Sequence, residues 1–161
     1  MNMNDMRGVP RKSPSELWLH TFTTSGTVNT ACVRFSKTQK QIGSDITYID
    51  SVAEGAKVQF TTPGVYCVSA WVLHSNSNQK PVGLNIIYNP VGAVTSINAG
   101  GGSEIIGPCA NYAPTASGES SYNSASVTKH FYAGDFIVIA IQGDGLATTA
   151  GSCGLIVTKI S

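Results

Sequence analysis

Two stretches of this chain have no polar face. Side chains of a β-strand point alternately to opposite sides of a sheet, so a half-buried strand alternates apolar and polar residues. Within residues 65–73, Val65, Cys67, Trp71 and Leu73 fall on one side and Tyr66, Val68, Ala70 and Val72 on the other, with Ser69 the only interruption. Within residues 136–141, Phe136, Val138 and Ala140 point one way and Ile137, Ile139 and Ile141 the other. Strands apolar on both faces usually lie in parallel sheets clad by helices. No window here sustains the i, i+3, i+4, i+7 spacing of an amphipathic helix, so the cladding must come from elsewhere. The expected cover is another copy of the chain, with Tyr66, Val68, Ala70, Val72, Ile137, Ile139 and Ile141 at a homotrimer interface. The pattern alone leaves open which face of each strand is core and which is interface.

The rest of the chain is also strand-like. SELWLHTF, TACVRFS, DITYIDS, AKVQFTT, GVYCVSAWVLH, VGLNIIYN, SASVTKHFY, DFIVIAIQG and GLIVTKIS read as strands, separated by turn signals such as Pro63-Gly64, Asn89-Pro90 and Gly134-Asp135. Many short strands with regular turns predict an all-β, two-sheet sandwich or barrel. At 161 residues the chain makes one such domain. Charged residues are only 12%, against about 25% in ordinary soluble proteins, and Ser, Thr, Asn and Gly take their place. A net charge of +1 gives no electrostatic case for nucleic acid or an acidic membrane. No apolar run approaches the roughly 20 residues of a membrane helix. The opening MNMNDMRGVPRKSPS lacks the apolar centre of a secretory signal.

Two segments break the strand pattern. Residues 1–16 form an expected extended arm, ahead of a domain spanning residues 17–161. The arm combines the apolar Met3, Met6 and Val9 with the basic Arg7, Arg11 and Lys12, a composition suited to anchoring on a partner rather than folding alone. The second segment, residues 98–126, is rich in Gly, Ser, Asn and Tyr and too long for a passive connection. Its Tyr112 and Tyr122 are the candidate contact residues of an exposed loop, whereas Tyr132, next to Phe131, is expected in core or interface.

Catalytic and metal-binding patterns find little support. Cys32, Cys67, Cys109 and Cys153 form no C-x-x-C pair, and the expectation is four buried thiols rather than a zinc site or disulfides. His20, His74 and His130 stand far apart and read as strand-end or interface histidines. Gly151-Ser152-Cys153-Gly154 lacks the spacing of a nucleophile elbow. The run Gly100-Gly101-Gly102 is not followed by the Gly-Lys-Ser/Thr of a phosphate cradle. Asp135 and Asp144 read as turn aspartates, since a hard-cation site needs about six oxygens. No enzyme, cofactor or metal is expected.

Placed in order, these motifs resemble the complement/tumour-necrosis-factor-like jelly roll. That family puts an aromatic and a Pro-Gly-aliphatic-Tyr turn before a central strand, here Phe60 with Pro63, Gly64, Val65 and Tyr66. A basic-apolar stretch and Gly-Asp then precede an apolar strand, here residues 129–131 with Gly134 and Asp135, and a last apolar strand follows at residues 154–160. The first half also resembles segments of bacteriophage structural proteins, through WLHT at 18–21, NTACVRF at 29–35, GSDITYIDS at 43–51 and GAKVQFTTPGVY at 55–66. The resemblance implies a trimeric jelly roll with an N-terminal arm. Without a collagen stalk, signal peptide or membrane anchor, it points to a virion component rather than a secreted cytokine. The expected function is a capsid decoration or cement protein, with itself and the major capsid protein or another virion protein as partners. The alternative is the receptor-binding tip of a tail or head fibre, which would contact a host glycan or receptor.

Overall fold

Every regular element is a β-strand among residues 14–21, 32–51, 55–75, 83–94, 104–108, 120–142 and 153–161, the part of the chain that the computed structural model describes. The strands are β1 (Glu16–Thr21), β2 (Lys37–Ile42), β3 (Ile46–Ile49), β4 (Lys57–Phe60), β5 (Gly64–Ser75), β6 (Gly83–Tyr88), β7 (Glu104–Pro108), β8 (Ser120–Phe131), β9 (Phe136–Gln142) and β10 (Cys153–Lys159). They pair into two five-stranded antiparallel sheets, in the orders β2-β1-β10-β5-β8 and β3-β4-β9-β6-β7. Long-range pairing of this kind, with β1 against β10 and β5 against β8, is what makes the sandwich.

The core corrects the interface expectation. Tyr66, Val68, Ala70 and Val72 of β5 and Ile137 and Ile139 of β9 are buried between the two sheets of a single chain, and Ile141 packs against them. They are not a trimer surface. Alternation reveals that a strand has two apolar faces, but the partner sheet decides which one faces inward. The second face of β9 is also covered by its own chain: Val138 and Ala140 are buried with Cys32, Ile87 and Val94, and Phe136 packs against that cluster. Where β4 ends its pairing with β9, Cys32 takes over by bridging to Ala140, and the Val33 amide donates to the Ile139 carbonyl at 2.8 Å. The described part of TACVRFS, from Cys32 on, contributes this bridge rather than a full strand.

Two strands escaped the sequence pattern. β2 is KTQKQI, exposed along its whole length, and it pairs with β1 at the edge of the first sheet. Its lysines suit an edge strand, where charge discourages pairing with other chains. β7 lies at the edge of the second sheet and is mostly exposed. The arm residues Met3, Met6, Arg7, Val9, Arg11 and Lys12 lie outside the described residues. The arm's expected end at residue 16 moves back: Ser15 is buried and Glu16 opens β1.

At one end of the sandwich, two carboxylates fasten the turns. Asp45, in the turn from β2 to β3, accepts from the Ser15 hydroxyl at 2.9 Å and faces the Lys159 ammonium at 3.3 Å. Lys159 also donates to the Thr62 hydroxyl at 2.8 Å. The chain direction at this turn requires glycine: Gly43 has φ +72°, and a Cβ there would run into Ser15. Asp135 holds the neighbouring turns. It accepts from the Tyr88 hydroxyl at 2.8 Å, the Asn89 amide at 2.8 Å and the Tyr132 backbone N–H at 2.7 Å. The Asn89 side-chain oxygen accepts in turn from the Phe136 N–H at 2.8 Å. Asp135 is thus the turn aspartate expected from the sequence.

Candidate functional site

The outer face of the first sheet is where this chain shows apolar side chains that its own fold leaves half-covered. It is built from the residues that alternate with the core. In one cross-strand row, Trp18 of β1 lies opposite Ile156 of β10, Ile156 opposite Ser69 of β5, and Ser69 opposite Ser126 of β8. In the next, His20 lies opposite Gly154, Gly154 opposite Trp71, and Trp71 opposite Ser124. Trp18, His20, Cys67, Trp71, Leu73 and Ile156 are all of intermediate exposure. So the outer face of residues 65–73 is the one that keeps the unexplained apolar character.

Local chemistry shapes that face. Gly154 leaves room for Trp71 to lie across β10, since a Cβ at that position would run into the indole ring. The ring then meets His20 edge-on, with centroids 5.4 Å apart. Towards the β2 edge, the Trp18 indole N–H donates to Glu16 at 2.7 Å, and Lys40 binds the same carboxylate at 2.6 Å while sitting 5.0 Å from the Trp18 ring centroid. These bonds, from Lys40 first and then Trp18, hold the Glu16 carboxyl below its usual range. Between β5 and the edge strand β8 the Ser69 and Ser126 hydroxyls share a 3.0 Å hydrogen bond. The face is aromatic and hydroxylic at its centre and ionic only at its β2 edge.

Tyr122 on β8 and Tyr132, one residue past its end, are both 66% exposed. Tyr122 therefore sits on a strand rather than in a loop, and Tyr132 is not core. Tyr112 lies outside the described residues. His130 is exposed and stacks edge-on against Tyr132 at 4.8 Å. His20 and His130 stand on different parts of the face, and the side chain of His74 is not described. No three His, Cys, Asp or Glu residues gather into a metal-binding group among the described residues. Sequence reasoning missed Trp18, Ile156 and the Gly154–Trp71 contact; the pairing of β1 and β10, at opposite ends of the chain, is what assembles them.

The cysteines divide by burial. Cys32 and Cys153 are buried and Cys67 is half-buried, with no disulfide joining them; Cys109 lies outside the described residues. Burial pushes the Cys32 thiol up to about 12, only partly opposed by Lys57. Since the thiolate is the nucleophile, alkylation of the native protein should label Cys67 well before Cys32. Mass spectrometry after brief iodoacetamide treatment checks this; equal labelling would contradict the burial of Cys32.

No protein-family model matches the chain, and no curated protein sequence matches it. Solved structures do. Murine APRIL superposes with a TM-score of 0.65 at 15% identity, over 91% of this chain and 99% of that one. Eiger TNF from S. frugiperda gives 0.63 at 12% identity, over 92% and 94%. The globular domain of zebrafish complement 1qA gives 0.56 at 12% identity, over 89% and 94%. The identities are low but the superpositions span nearly whole chains, and the two antiparallel sheets agree: the chain has the jelly-roll fold of tumour-necrosis-factor-like and complement-1q-like proteins.

Proposed function

We propose that the chain is a non-enzymatic structural subunit of a bacteriophage particle, a homotrimer that decorates or cements the capsid surface. The observation that carries this reading is the outer face of the first sheet, where Trp18, Trp71 and Ile156 remain half-covered around an uncharged centre. Each large apolar side chain taken out of water contributes about 1.5–3 kcal/mol. Three copies closing on this face cover all of them at once. The virion assignment draws on the resemblance of residues 18–66 to phage structural proteins, on the low charge of the chain and on the mixed apolar and basic composition of its first residues. Its partners are further copies of the chain and the major capsid protein.

Sedimentation at micromolar concentration should find a trimer. Ser126→Arg places a cation at an exposed position of this face, beside Ser69 and halfway along β8, and should yield folded monomer with unchanged circular dichroism. A wild-type monomer would overturn the trimer. Electron microscopy of particles carrying a labelled copy tests the rest: decoration spreads label over the capsid, whereas label confined to fibre ends would replace this reading by receptor binding.

A further inference from the structure

Among the described residues four strands lie at sheet edges, and three of them are blunted against pairing with another chain. β2 carries Lys37 and Lys40 and a bulge at Gln39, where its register against β1 shifts. β3 has only four residues. β7 has five, ends in Pro108 and bulges at Ile106, where its register against β6 shifts. Lysine, proline, bulges and short length are the usual devices that keep an edge from templating a further strand. β8 has none of them. It runs for 12 residues, contains no proline and pairs with β5 without a shift in register. Its one lysine, Lys129, is drawn towards the second sheet: it bonds Glu104 of β7 at 3.3 Å and lies 4.9 Å from the ring centroid of Tyr88 on β6.

The backbone of β8 is aligned for a further strand. The Val65 N–H donates to the Ser161 carbonyl at 2.9 Å, and the Val65 carbonyl accepts from the Ile160 N–H at 2.7 Å. Both backbone groups of Val65 thus point towards the β10 side of β5, away from β8. His130 lies opposite Val65, so this is a non-hydrogen-bonded pair, and the N–H and C=O of His130 point off the edge of the sheet. By alternation the same holds for Thr128, Ser126, Ser124 and Tyr122. All five residues are exposed, and among the described residues no strand takes this side of β8. A row of N–H and C=O groups along an unbulged edge is what an added strand bonds to.

We propose that β8 pairs edge to edge with β8 of a second copy of the chain, antiparallel about a two-fold axis at Ser126. In that register Ser126 faces its own counterpart, Ser124 faces Thr128 and Tyr122 faces His130. On the side towards the second sheet, Ala125 faces Val127 and Asn123 faces Lys129. No like charges meet, and hydroxyls stand opposite hydroxyls, a favourable cross-strand pairing. The strand complements itself, and this is what makes a second copy the occupant. The contact joins two five-stranded sheets into one. Its backbone groups leave the sheet in its own plane, whereas the trimer reading uses side chains that stand out of that plane, so the inference stands independently of the trimer.

Sedimentation of the full chain from micromolar to about millimolar concentration reads the contact, since a weak edge pairs only towards the upper limit. Wild type should associate two by two, as dimers of chains, or as dimers of trimers and larger where the trimer also forms. Thr128→Pro removes an N–H that points off the sheet, so the ladder with β5 stays whole. The two-fold axis makes this a loss of two interchain hydrogen bonds, and association should weaken at least about ten-fold with unchanged circular dichroism. Ser124→Lys with Thr128→Lys sets lysine against lysine in both outer pairs and should abolish pairing. Ser124→Glu with Thr128→Lys sets opposite charges in the same pairs and should pair at least as tightly as wild type. That contrast decides the matter even where Thr128→Pro does not fold. A wild-type chain that stays a discrete trimer or a monomer throughout, a folded Thr128→Pro that associates like wild type, or equal association of the two charge variants would overturn this inference. The trimer reading is decided separately, by the species present at micromolar concentration.

Discussion

Phe60→Ala should destabilise the protein by about 3–5 kcal/mol, the usual cost of deleting a buried aromatic ring. Phe60 stacks on Phe131 with centroids 3.9 Å apart and meets Tyr66 edge-on at 4.6 Å. All three are fully buried. Phe60 ends β4 of the second sheet, while Tyr66 and Phe131 belong to β5 and β8 of the first. The ring therefore fills the space between sheets at the end where the turns meet. Backbone on both sides limits how far a cavity there can collapse, which places the cost in the upper part of the range for large-to-small changes. Urea unfolding at neutral pH measures it as a lower midpoint at unchanged slope. Tyr66→Phe keeps the ring and loses only the hydroxyl that donates to the Thr62 carbonyl at 2.8 Å, so it should cost about 1 kcal/mol. If the two variants cost the same, this aromatic trio does not clamp the sheets.

Asp45→Ala should cost about 3 kcal/mol, the lower part of the range for breaking a buried ion pair. The Asp45 side chain is 3% exposed and that of Lys159 19%, so the lysine left behind regains some water, which limits the loss. The substitution also releases Ser15, the residue before β1. Lys159→Met restores little alone, but together with Asp45→Ala it should cost less than the sum of the two. The same group makes stability depend on pH. Burial raises the Asp45 carboxyl, but bonds from Ser15, Thr62 and Lys159 outweigh it and hold the group below its ordinary value. A carboxyl depressed in the folded state stabilises fully above its unfolded value, about 3.9, and that stability is lost as pH falls through the folded value. Two further carboxyls are shifted in the same direction: Asp50 by Arg34, and Asp135, where burial is outweighed by the Tyr132 N–H, Asn89 and Tyr88. Wild-type urea midpoints should therefore fall steeply below about pH 4, with a shallower fall in Asp45→Ala. Parallel curves would show that Asp45 takes no part in acid unfolding.

Much of the fold was legible because burial leaves a period in the sequence. The double-sided runs 65–73 and 136–141 became β5 and β9, each inside its sheet with neighbours on both edges. The Pro63-Gly64 and Gly134-Asp135 signals became the turns that close one end. β2 and β7 left no such trace, since an exposed edge strand is held by backbone hydrogen bonds that any polar sequence can make. The site was legible only as an excess of apolar surface.

The sequence by itself determined that this chain is all-β, that β5 and β9 are apolar on both faces, and that the chain is poor in charge and rich in hydroxyls. Those properties follow from side-chain alternation and composition, which act over a few residues. Only the tertiary structure decided what covers each face. Tyr66 and Val68 turned inward because the second sheet packs on that side, and Val138 and Ala140 were covered by Cys32 and Val94 of the same chain. Trp18, Ile156 and Trp71 became neighbours because β1 and β10, from opposite ends of the chain, pair beside β5. Contacts between residues so far apart in sequence leave no local period, so they exist only once the sheets have closed.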